Sequence, residues 1–78
     1  MQLEIKETIK HVGRYISDNA HFHGLEKAID LARAINDGFG FTFYYVKGGK
    51  RVKISEATLN DDLFEKSVEL GKRWFIKQ

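Results

Sequence analysis

The sequence predicts an α+β domain in which an antiparallel sheet carries helices on one face. Apolar and polar residues alternate on both sides of Gly48-Gly49, two further segments are amphipathic with a helical period, and the two halves of the chain echo one another. The favoured order is ββαββα, an internal duplication, and the alternative is ααββα. At 78 residues the chain reads as one small domain spanning 1–78.

The first element is ambiguous. Ile5, Ile9, Val12 and Ile16 recur at helical spacing, yet the stretch is rich in β-branched residues, contains Gly13 and opens on the alternation Met1, Leu3, Ile5. An internal echo opens a second reading: LEKAIDLAR (Leu25 to Arg33) matches FEKSVELGK (Phe64 to Lys72), and Ile16-Ser17-Asp18 matches Ile54-Ser55-Glu56. On that basis Leu3 to Ser17 is expected to form a hairpin turning at Lys10-His11, with Ile5 facing Ile16, Glu7 facing Arg14 and Lys6 beside Tyr15. Neither Lys10 nor His11 readily takes the positive φ of a two-residue turn. A lone two-stranded hairpin is marginal in water, however, and a four-stranded sheet is not, which tips the expectation to the duplicated order.

A helix follows from Gly24 to Asn36. Leu25, Ala28, Ile29, Leu31, Ala32 and Ile35 fall in one stripe of roughly 160°, and Gly38 is placed to stop it. Phe39 to Ser55 then reads as a hairpin. Closing it over Gly48-Gly49 pairs Lys47 with Lys50, Val46 with Arg51, Tyr45 with Val52, Tyr44 with Lys53 and Phe43 with Ile54. Phe43 and Tyr45 then face the core; Tyr44 and Val46 face water. The last helix is expected to start after Asn60 as its cap, with Leu59 stapling onto Phe64 and Asp61 and Asp62 at the positive end of the helix dipole. Val68, Leu70 and either Trp74 or Phe75 continue its buried side, and the other of that adjacent aromatic pair is expected to be exposed or part of a self-association surface.

The octapeptide Asp37 to Tyr44, DGFGFTFY, resembles the longer signature of the RNA-recognition motif, whose aromatics lie on a sheet and stack on bases. Here Asp37 stands where that family has a basic residue, and a helix precedes the stretch instead of a strand. Phe39, Phe41 and Phe43 are therefore expected to pack inward under a helix.

Composition excludes several classes of function. With no cysteine there is no disulfide, thiolate nucleophile or Cys-based zinc site, which agrees with a reducing, cytoplasmic setting. No stretch is apolar enough to span a bilayer, and the first ten residues lack the pattern of a signal peptide. Ser17, Ser55 and Ser67 lack a nucleophile elbow, and Gly48-Gly49-Lys50 lacks the spacing of a phosphate-binding loop. His21-x-His23 supplies two imidazoles, with a third ligand from His11, Asp18 or Asp30 unconstrained. The expectation is a non-enzymatic binding module without cofactor or metal.

Its candidate binding residues are Tyr44, Lys47, Lys50, Arg51 and Lys53, a basic and aromatic sheet face beside Thr42, Val46 and Ser55. The formal charge of only +2 favours a protein partner, as for the compact regulators and inhibitors often encoded on phages and other mobile elements. Nucleic acid is the alternative partner, and homodimerisation suits either.

Overall fold

The computed structural model describes residues 5–38 and 40–77, with Ser55 as backbone only. The fold is α+β, and its order is ααββα: α1 (Ile5–His23), α2 (Leu25–Gly38), β1 (Phe41–Lys47), β2 (Lys50–Ala57) and α3 (Asp61–Ile76). The second of the two expected orders is the one adopted, and the sheet has two strands.

Ile5 to Ser17 is helix, not hairpin; Leu3 lies outside the described residues. The expected turn is absent because no non-glycine residue described takes a positive φ, and Lys10-His11 continues the helix. Helical periodicity wins over β-branched content because it places Thr8, Val12, Ile16 and Ala20, each four residues apart, in one buried stripe. Glu7 meets Lys10 one turn away at 3.8 Å rather than Arg14. Lys6 and Tyr15 are nine residues apart along the helix, about 13 Å at 1.5 Å per residue, so they form no pair.

Gly13 marks the closest approach of α1 to α3. A Cβ there would lie 3.0 Å from Leu70 Cβ and 3.2 Å from the Ser67 carbonyl, and one on Gly71 would lie 2.8 Å from Ile16 and 3.0 Å from the Gly13 carbonyl. The two helices run parallel, since Ile16 meets Gly71 and, further along both, the His21 ring packs tilted against Phe75 at 5.1 Å. Trp74 and Phe75 are both half-buried, so neither is exposed in the sense of the first of the two expectations for this pair. The end of α3 sits against α1, so Trp74 reaches toward Gly13 while Phe75 covers His21.

The α1–α2 joint is Gly24 alone, at φ 86°. Past α2 the stop falls at Gly40 instead of Gly38: Gly40 takes φ 74° and its N–H donates to the Ile35 carbonyl at 2.9 Å. Asn36, buried near the end of α2, donates from Nδ2 to the Leu59 carbonyl and accepts the Leu59 N–H on Oδ1, both at 2.8 Å. One amide side chain thus satisfies both backbone groups of Leu59 in the segment leading to α3. Asn60 caps α3 as expected, accepting the Leu63 N–H at 2.9 Å. Leu59 and Phe64 both enter the core, which also holds Val12, Ile16, Ala20, Ala28, Ala32, Phe41 and Val68.

Candidate functional site

Gly48 and Gly49 turn the hairpin at φ 58° and 78°, the two positive values that a two-residue turn matching strand twist requires. Four of the expected pairs form: Lys47–Lys50, Val46–Arg51, Tyr45–Val52 and Tyr44–Lys53. The fifth does not. Phe43 faces Ser55, leaving Ile54 as the extra residue of a bulge.

That bulge divides the hairpin into a base and an arm. The base lies on α1: Phe41 is buried with its ring 6.1 Å from Tyr15, and Phe43 is half-buried with its ring 5.0 Å from His11. The phenylalanines of the octapeptide therefore serve packing, as expected for Phe41 and Phe43; Phe39 lies outside the described residues. A bulge bends its strand and increases local twist, and beyond this one the ribbon leaves the helices. Tyr45, on the same side of β1 as Phe43, is consequently 45% exposed rather than core, while Tyr44 is 49% and Val46 72% exposed. Four residues on each strand beyond the bulge make an arm about 13 Å long. Because both of its faces are wet, Val46→Asp is expected to move stability by no more than about 0.5 kcal/mol in urea titration.

All five residues expected to bind a partner, Tyr44, Lys47, Lys50, Arg51 and Lys53, are exposed and lie on this arm. They are not equivalent. The Arg51 guanidinium sits 5.6 Å over the Tyr44 ring, presenting a cation and an aromatic face together. Lys53 forms an exposed ion pair with Glu56, the one carboxylate of the ribbon. Lys47 and Lys50 stand directly opposite each other beside the turn. Like charges in that position repel, and an anion between them relieves the repulsion.

Charge is segregated in the fold. From Phe41 to Ala57 there are four cations and one carboxylate; the rest of the chain has nine cations and ten carboxylates. The whole positive excess therefore resides on the ribbon. Glu7, expected on a neighbouring strand, lies instead on α1 against Lys10. Sequence reasoning missed Tyr45, whose exposure depends on a bulge that alternation does not reveal.

The histidines are kept apart. His11 and His21 are ten residues apart on one helix, about 15 Å, and each packs a tilted ring against a different phenylalanine. His21 and His23, two positions apart on that helix, point about 200° apart. Among the described residues no three His, Asp or Glu side chains gather into a group that could hold a metal, and no helix is long and apolar enough to cross a membrane. No protein-family model, curated protein or solved structure matches this chain.

Proposed function

We propose that this chain is a small non-catalytic binding module whose β-ribbon arm engages the phosphate backbone of a nucleic acid. The observation that carries this is the concentration of the chain's positive excess on a two-stranded arm with tyrosines on both faces. A ribbon of that width enters the major groove of a duplex, and tyrosine or arginine planes stack on unpaired bases. Lys47, Lys50 and Arg51 are the phosphate-contacting set, with Tyr44 and Tyr45 as stacking surfaces. Lys53, ion-paired with Glu56, stands outside that set.

Fluorescence anisotropy with mixed-sequence single- and double-stranded oligonucleotides tests this. Three phosphate contacts imply a log–log salt slope of roughly −3. Lys47→Glu/Lys50→Glu/Arg51→Glu is expected to weaken binding at least tenfold and flatten that slope. No binding at low salt rejects the proposal. A second reading rests on a different feature: in a two-stranded sheet each strand has one unpaired edge, and a protein segment can add to such an edge as a third strand. Its binding would be nearly indifferent to salt and to the triple substitution.

A further inference from the structure

The two edges of the ribbon differ. β2 carries Lys50, Arg51, Lys53 and Glu56 and is bent by the extra residue Ile54, and both charge and bulge discourage the addition of a further strand. β1, FTFYYVK, holds no extra residue and has a single charge, Lys47, at its end. Its side chains are aromatic or β-branched, with neither proline nor glycine, the composition of a strand that pairs readily. Its free edge also offers backbone groups. Lys47 and Lys50 flank a two-residue turn and so exchange both ladder hydrogen bonds. Such pairs alternate, so Tyr45 bonds Val52 in the same way, while Tyr44 and Val46 direct their N–H and C=O groups away from β2. Neither has a backbone partner elsewhere among the described residues, and Tyr44 to Lys47 are exposed.

We propose that this edge pairs with the same edge of a second copy of the chain, giving a four-stranded antiparallel sheet in the order β2, β1, β1, β2. A two-fold axis at Tyr45 sets Tyr44 of each copy opposite Val46 of the other. The four outward backbone groups of each copy are then satisfied, and Tyr45 meets its counterpart as an aromatic cross-strand pair. Only the exposed length of β1 is used, so the helices of the two copies lie at opposite ends of the joint sheet. Charge favours this antiparallel sense. Lys47 comes opposite Phe43 of the other copy, which leaves the two Lys47 positions four residues apart along the sheet, about 14 Å, beyond the screening length of about 10 Å at 0.1 M salt. A parallel arrangement sets them side by side. The cations of β2 go to the outer strands, whose bulged and charged edges stop further addition, so association closes at two. Two strands alone are marginal in water and four are not, which is the gain for an arm with both faces wet. The dimer is independent of the phosphate contacts proposed for the ribbon, and loss of either leaves the other standing.

Sedimentation equilibrium of the intact chain is expected to show a reversible rise from 9.0 kDa to twice that mass, with a Kd on the order of 100 μM. Amide hydrogen exchange locates the contact. Between about 10 μM and 1 mM chain, exchange at Tyr44 and Val46 should slow roughly threefold by mass action, while Tyr45 and Lys47, already bonded to β2, should change little. Tyr45→Lys sets two cations against each other across the two-fold axis and should weaken dimerisation at least tenfold, with the circular dichroism of the dilute monomer unchanged. Val46→Pro removes an outward N–H that no bond within the chain uses, and should abolish the dimer. The chain has no cysteine, so Tyr45→Cys should form a disulfide between copies under mild oxidation, and Val52→Cys, two strands further from its counterpart, should not. A chain that stays monomeric to about 1 mM, a dimer indifferent to Tyr45→Lys and Val46→Pro, or protection centred instead on Ile9 and Leu70 of the groove between α1 and α3 would overturn the assignment.

Discussion

Gly71→Ala is expected to lower stability by about 1–3 kcal/mol, the usual cost of forcing a methyl group into a packed interface. The sign is the informative part, because in the interior of an exposed helix the same change gains about 1 kcal/mol. At Gly71 the new Cβ meets the branched side chain of Ile16 at 2.8 Å and the Gly13 backbone at 3.0 Å. Neither neighbour can withdraw: Ile16 is fully buried, and backbone moves only if α1 moves. Gly38→Ala is the control. It ends α2 without a positive φ and with open space where a Cβ would go, so the substitution should be neutral or gain about 0.4–1 kcal/mol. Urea unfolding followed by circular dichroism compares the two; a Gly71→Ala protein more stable than its parent would mean that α1 and α3 do not cross at the glycines.

Asn36→Ala is expected to cost about 2–5 kcal/mol, because each of two buried backbone groups left without a partner costs roughly 1–3. A chain of this length has a total stability of roughly 4–12 kcal/mol, so the loss is a large share of it. The midpoint of thermal unfolding should fall by about 10–25 °C. Hydrogen exchange localises the effect: the Leu59 amide, protected by Asn36 Oδ1 at 2.8 Å, should exchange far faster relative to the rest of the core. Asn36→Asp keeps that acceptor and loses the donor to the Leu59 carbonyl, so the Leu59 amide should stay protected even as stability falls. Equal loss of protection in both variants would argue against the two-bond arrangement.

Much of the candidate site was legible in the residues. Gly48-Gly49 placed the turn, and the turn placed four cross-strand pairs together with every cation now found on the arm. The fifth pair was lost to Ile54, where alternation has no means of announcing an extra residue. The same bulge accounts for Tyr45, which alternation assigns to the core and the bent ribbon leaves half in water. A charge of +2 spread over the chain looked too small to favour nucleic acid, and it became an argument for it only when the fold put the excess on one arm.

Features whose causes lie within a few residues followed from the chain alone: the stripe of α2, the Asn60 cap of α3, the glycine turn and the inventory of charge around it. Tertiary structure decided the rest. Ile5 to Ser17 carries both a helical and a strand pattern, and became helix because Val12, Ile16 and Ala20 meet α2 and α3 along one stripe. Gly13 looked like a break in a helix until Gly71, 58 positions away, supplied the reason for its missing side chain. Asn36 looked like a helix terminus and became the partner of Leu59. In each case the local free-energy difference between alternatives is about 1 kcal/mol or less, and burial against a distant segment contributes more than that.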